Sequence, residues 1–401
     1  MIIDIWTISL TTVLLVLFLY LGAATAYLLL LGIAYFVRKE RPSGPDDPLN
    51  RFAILVPAHN EEQLVGNLCK SLLEIDYPRE NIEIFVIADN CTDETVKVCR
   101  PHPLTVLERE DSDHAGKGQA IAWALKQIHL PEFDAVFIVD ADSYVDGGIL
   151  AELNRSINQG EQAIQCFNGV GNRDDSGFTQ LLFVSRTINN LLYQEAKFRL
   201  GLSCFLTGNG LCFRSDLLQE RGWTAFSAGE DWEYYAQLVA DNIRVGFAAS
   251  AKVFHQESRS LNQATTQRLR WSSSRFSVAK NLGLPLFLRG IRQRRWLMAD
   301  ATAPLLFPNY SLQINLTLGG IIFALLLPSS TLKLFFLVGF FLLLIGESLL
   351  FAAGAFIAGS PVKVIRAVLY VPIFLLWKSV IDILCATGLY KDKKWVRTRR
   401  H

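Results

Sequence analysis

The sequence has no cysteine framework. Its seven cysteines, Cys69, Cys91, Cys99, Cys166, Cys204, Cys212 and Cys385, stand apart, with no CxxC pair and no Cys/His spacing of a zinc site. A disulfide scaffold and a zinc module are therefore excluded, and dispersed thiols fit a reducing compartment. An excess of one charge is also lacking: 39 Lys and Arg stand against 38 Asp and Glu, for a net charge of +1. No bulk field points to nucleic acid as a partner. Internal repeats and low-complexity tracts are absent. What the chain has in quantity is apolar residues, 51% of the total, with the excess at its two ends.

Residues 10–37 are almost wholly apolar. At about 1.5 Å per residue they can cross a bilayer core of about 30 Å. No basic segment precedes them and no small-residue cleavage site follows, so residues 1–41 read as a transmembrane anchor, not a signal peptide. Asp4 stands before the run and Arg38, Lys39 and Arg41 after it, which places the following segment in the cytoplasm. A Pro/Asp linker at 42–48 leads into a soluble domain at 50–260. Residues 261–300 mix arginines with Leu, Phe and Trp, the pattern of amphipathic helices on a membrane surface. A membrane region at 309–401 contains apolar stretches at 311–327, 332–358 and 367–389 and ends in a basic tail. Lys378 and Asp382 lie one helical turn apart in the last stretch and can pair. A full crossing by that stretch would put the tail at 391–400 outside, against the charge rule, so three spans in all are expected.

Within the soluble domain, apolar runs at 52–58, 82–89 and 135–142 read as strands, and helix-like segments at 61–74, 92–99 and 117–128 lie among them. Continuous apolar strands alternating with helices argue for an α/β fold with a mostly parallel sheet covered on both faces. Ligands of such sheets bind beyond the carboxyl ends of the strands, so the polar residues following each run should meet in one crevice.

Asp140 and Asp142 flank Ala141 at the end of the third run. A strand-terminal carboxylate pair can share a hard cation with phosphate oxygens, and such a cation would stabilise a diphosphate leaving group. Asp89 closes the second run, either as a turn or cap residue or as an acceptor for a base or ribose. Pro57, Asn60 and Glu61 form a polar corner at a helix N-terminus beside the same crevice. Lys117 lies in a glycine-flanked loop, where it is either solvated or meets phosphate. Glu230 and Asp231 precede a helix; they either complement its dipole or supply a base for a hydroxyl that must lose its proton. Gln267 and Arg270 share one helical face, with Trp271 adjacent as a flat surface for a sugar ring. Gly208 and Asn209 belong to a TGNG turn that permits close approach of an acceptor or is simply a turn.

Taken in order, PAHNEE, Asp89, Asp140/Asp142, Glu230-Asp231 and Gln267-x-x-Arg270-Trp271 resemble the D, DxD, ED, QxxRW signature. That signature marks the membrane-bound family-2 glycosyltransferases, among them cellulose, chitin, hyaluronan and poly-N-acetylglucosamine synthases and ceramide glucosyltransferase. The resemblance covers residues 50 to 300. It implies a GT-A fold and an inverting transfer from a nucleotide sugar, with uridine as the base, at the cytoplasmic face of a plasma membrane. It implies that Pro57, Asn60, Glu61, Asp89, Lys117, Asp140, Gln267, Arg270 and Trp271 hold the donor, with Mg²⁺ or Mn²⁺ on Asp140 and Asp142. His255 is a candidate further metal ligand, with a packing role as the alternative. Asp231 is the implied base, and Gly208, Asn209, Glu230 and Trp271 the implied acceptor residues. Gly229 and the TGNG turn depart from the synthase pattern, and only one span precedes the domain. A growing polysaccharide is the first expected acceptor and a lipid of the ceramide, diacylglycerol or polyprenol type the second. A transporter is disfavoured, because its functional polar residues would lie within the spans.

Overall fold

The computed structural model describes residues 5–39, 44–328, 330–359 and 361–390, with no side-chain description at 361–366. Asp4, Arg41, the first residues of the linker and the basic tail at 391–400 lie outside the described residues. Eight strands form one sheet: β1 Phe52–Ala58, β2 Ile82–Asp89, β3 Thr105–Arg109, β4 Ala135–Ile138, β5 Ser143–Val145, β6 Ala163–Val170, β7 Leu211–Arg214 and β8 Val245–His255. Their order is β3-β2-β1-β4-β7-β6-β8-β5. Pairing is parallel for β1–β2, β1–β4, β2–β3 and β6–β8, and antiparallel around β7 and at β5–β8. The sheet is thus mixed, with its parallel half where the sequence places it.

The helices used below are α1 Ile5–Val37, α2 Val65–Leu73, α3 Lys117–Gln127, α4 Ile149–Asn158, α5 Gly177–Thr187, α6 Glu230–Ala240, α7 Leu261–Val278, α8 Leu284–Arg292, α9 Tyr310–Leu325, α10 Thr331–Ile357 and α11 Pro361–Ala386. Side chains alternate across a strand, and β1 shows the consequence. Ala53 and Leu55 enter a core with Ile121, Leu125 and Tyr234, while Phe52, Ile54 and Val56 enter one with Leu68, Leu72 and Leu153. Both faces are covered, by α3 and α6 on one side and α2 and α4 on the other. That is why the strand sequences are apolar throughout.

Two expectations need correction. The run at 135–142 is not one strand: β4 stops at Ile138, the chain turns, and β5 pairs with β8 at the far edge of the sheet. Asp140 and Asp142 sit in the turn, which frees both carboxylates from the sheet interior. The membrane segments also differ. Helix α9 has 16 residues, about 24 Å, which falls short of a bilayer core of about 30 Å. Among the described residues, the three helices long and apolar enough to cross are α1, α10 and the segment Ala367–Ala386 of α11.

The basic segment after residue 260 divides in two. Helix α7 packs against α11 and turns Arg268 and Arg275 inward, onto Glu257 and onto the carbonyls of Pro304 and Phe307. Helix α8 keeps the surface character, with Leu284, Leu288 and Ile291 exposed beside Trp296. The first span is fastened to the sheet domain. Fully buried Lys197 pairs with Asp300 at 2.9 Å, and Tyr27 of α1 donates to the same carboxylate at 2.8 Å.

Candidate active site

Lys117 opens α3 directly after Gly116, whose φ of 136° is a glycine conformation. Its ammonium meets Asp140 Oδ1 at 2.5 Å, donates to the Gly208 carbonyl, and lies 3.9 Å from Glu230 Oε1. The backbone N–H of Asp140 donates to Asn209 Oδ1 at 3.0 Å, and Asn209 Nδ2 donates to Ser143 Oγ at 2.9 Å. The TGNG turn is thereby braced against the DxD turn. Gly208 has a φ of 80°, and a Cβ there would stand 3.2 Å from Asp231 Oδ2. This glycine is needed for both backbone angle and space. Glu230 and Asp231 start α6, in the dipole-favoured first turn.

These groups line one cavity of about 1200 Å³, together with Pro57, Glu61, Asp89, Asp142, His255, Gln267, Arg270 and Trp271. Asp140 and Asp231 share this wall although 91 positions separate them in the chain. Burial, with the neighbouring Glu230 carboxylate, pushes the Asp231 carboxyl up to about 7. Burial likewise raises Asp140 and Glu230, with Lys117 opposing. For Lys117 itself, burial is outweighed by Asp140 and Glu230, and its pKa is raised.

Four nominated residues carry contacts within the protein, and three of them, Asn209, His255 and Trp271, also line the cavity. Asn60 does not line the cavity; it adopts a φ of 56° and its Oδ1 accepts from the Thr92 and Asp93 N–H groups. Asn209 lines the cavity but is 4% exposed, and both ends of its amide are used inside the protein, where it supports the turn. His255 bonds Asn168 Oδ1 at 2.8 Å and Glu257 Oε1 at 3.1 Å, so ligating a cation would require giving up one of them. One face of Trp271 is taken by the Arg268 guanidinium, 4.8 Å from the ring centroid.

Several residues escaped the sequence reading. Arg109 ends β3 and holds Asp89 Oδ1 at 2.5 Å, with further bonds to Asp111 and the His114 carbonyl. Glu257 accepts from Arg186 at 3.2 Å and Arg268 at 2.9 Å. Burial would raise its pKa, but Arg268, His255 and Arg186 hold it well below the usual carboxylate range. Arg109 at a strand end was a findable signal; the pairing of Arg186 with Glu257, 71 residues apart, was not. The lower wall was missed entirely: Leu344, Ser348 and Phe351 of α10 and Val368, Val371 and Leu375 of α11 continue the same cavity.

Among the described residues no cluster of three or more His, Cys, Asp or Glu side chains could hold a metal by itself. The Asp140/Asp142 pair fits a cation that brings phosphate oxygens with it, since Mg²⁺ typically takes one or two carboxylates plus substrate phosphates.

Residues 48–274 match the family model described as glycosyltransferase like family 2. A β-monoglucosyldiacylglycerol synthase of Nostoc sp. is 24% identical over 225 residues, which are 52% of this chain and 47% of that protein. A poly(ribitol-phosphate) β-N-acetylglucosaminyltransferase, TarS, of Staphylococcus aureus is 24% identical over 178 residues, 42% of this chain and 30% of that one. The chain thus spans about half the length, or less, of these curated relatives. Among solved structures, the mannosyltransferase PcManGT of Pyrobaculum calidifontis, in complex with GDP-Man and Mn²⁺, superposes with a TM-score of 0.61 at 18% identity. That match covers 93% of this chain and 99% of PcManGT, and it shows a common fold.

Proposed function

Because the chain belongs to the family-2-like glycosyltransferases, we propose that it transfers one sugar from a nucleotide sugar to the hydroxyl of a membrane lipid, with inversion at the anomeric carbon. The observation that carries the choice of acceptor is the cavity itself. It runs without a break from Asp231 to an apolar wall built by α9, α10 and α11. A lipid headgroup can stand at the acids while its chain stays in hydrocarbon. The lower lining offers Leu318, Leu344, Phe351, Val368 and Phe374 to a hydrocarbon chain, with Asn309, Ser311, Gln313, Ser348 and Lys378 among them.

Asp231 takes the proton of the attacking hydroxyl, and a carboxyl with a pKa of about 7 is matched to that task near neutrality. Lys117 holds Asp140 in place and adds positive charge beside the diphosphate. Arg270 and Gln267, which line the same cavity, bind the diphosphate, and Trp271 offers a ring face to the acceptor. Mg²⁺ or Mn²⁺ on Asp140 and Asp142 would supply charge stabilisation to the leaving diphosphate. The protein is integral to a membrane, with the sheet domain on its cytoplasmic side. Uridine stays the base expected from the motifs; a guanosine sugar is the alternative carried by PcManGT.

The test uses the full chain in nanodiscs, UDP- and GDP-sugars in turn, either cation, and diacylglycerol, ceramide and polyprenol-type lipids, with mass spectrometry of both phases. A lipid gaining one sugar is expected. An aqueous polymer made by the enzyme alone would restore the polysaccharide reading.

A further inference from the structure

The two helices that form the lower wall, α10 and α11, are each packed against α9 and α5. Helix α10 is held by α1 and α9: Phe18 packs edge-on to Phe340, and buried Glu347 accepts from Thr317 at 2.9 Å and Gln313 at 3.1 Å. Helix α11 is held by α9, whose Asn315 donates to the Leu375 carbonyl at 3.0 Å, and from the catalytic side. Lys378 pairs with Asp382 and donates to Ser272 of α7 at 2.9 Å, and Trp377 donates to Thr265 at 3.0 Å. Between them α10 and α11 scarcely touch.

Both helices turn a helical stripe toward this gap. Leu344, Ser348 and Phe351 follow one face of α10, and Val368, Val371, Leu375 and Lys378 one face of α11. The stripe reaches the outside, where Val368 is 48% exposed on a helix long and apolar enough to lie in lipid. At its inner end stand Lys378 and then Ser272, next to Trp271. The sides of the gap are thus apolar where hydrocarbon would pass and charged where a headgroup would arrive.

Resting on the lipid-acceptor reading, we propose that the acceptor enters sideways from the bilayer through the α10–α11 gap, its chain against Ser348 and Val371 and its headgroup passing Lys378 to Asp231. Entry from water over the lip of the sheet is the alternative. Ser348 is the small, exposed member of the stripe, so its enlargement should close the passage without disturbing packing. Leu349, the next residue, faces outward at 60% exposure and provides the control.

The experiment compares wild type, Ser348→Trp and Leu349→Trp in nanodiscs, using whichever of the diacylglycerol, ceramide and polyprenol-type lipids the wild type glycosylates and a short-chain, water-soluble analogue with the same headgroup. Expected is a fall of at least tenfold in the ratio of long-chain to short-chain kcat/KM for Ser348→Trp, and less than a twofold change for Leu349→Trp. A photoactivatable version of the lipid should label peptides of α10 and α11. An unchanged ratio in Ser348→Trp, or labelling confined to α1 and α8, would overturn the lateral route. Should Ser348→Trp fail to fold, the labelling pattern of the wild type decides alone. Wild-type protein that modifies no lipid would instead defeat the acceptor reading, so the two failures are distinguishable.

Discussion

At the lip of the sheet Asp140, Asp142, Glu230 and Asp231 face Lys117 and Arg270; Arg186, Arg268 and His255 line the same cavity and pair with Glu257 behind them. The first cluster is partly exposed to the cavity, with Asp140 35% exposed, whereas Glu257 is 1% exposed, and the charge balance of the two clusters is opposite. The first holds more carboxylates than cations, and three of its acids are pushed upward. The second gives its one carboxylate several donors and holds it down. An excess of buried like charge is costly unless a ligand brings the counter-charge. The comparison therefore separates a cluster suited to the cation and diphosphate of the proposed reaction from one that ties the end of β8 to α5 and α7.

The comparison can be broken in four ways, of decreasing effect. Asp231→Asn should lower transfer by about two to four orders of magnitude, the usual share of a positioned base. Donor affinity should stay near wild type in equilibrium binding, and a joint loss would make Asp231 a structural residue. Glu257→Gln leaves two guanidinium groups without their anion, and should cost about 3–5 kcal/mol in denaturant unfolding. Normal stability with weakened donor binding would move Glu257 into the ligand-binding cluster. Asp142→Ala should weaken cation-dependent donor binding at least tenfold in a metal titration, while leaving the ligand-free protein as stable as wild type or more so, because one like charge is removed. Equal donor affinity with and without the substitution would count against the cation role.

The smallest effect is on pH dependence. With its carboxyl at about 7, Asp231 is a competent base only above that value, so kcat/KM should rise about tenfold per pH unit on the acid side and level off beyond it. The Glu230 charge contributes to that elevation, so Glu230→Gln should move the limb to lower pH. An immobile limb would mean that burial alone sets it.

Much of the site was readable from local chemistry. A buried parallel strand must shed its polar residues at its end, so Asp89 and the DxD turn were visible as strand terminators, and the ordered motifs tied them to Asp231 and Arg270. The residues that escaped are partners chosen across space. Arg109, Arg186 and Glu257 look like ordinary surface charges until folding buries them. Asn60, Asn209 and His255 carried ligand-like chemistry in the sequence, and folding also commits their polar atoms to neighbouring loops and strands.

By itself the sequence determined the element types, the membrane attachment and the chemical class of the site, because apolar period, strand ends and carboxylate spacing are local properties. Only the tertiary structure decided where each helix ends, which polar residues are satisfied internally, and that the acids open onto a largely apolar chamber. Those depend on contacts between segments far apart in the chain, and no local pattern encodes the distance between two side chains that meet only after folding.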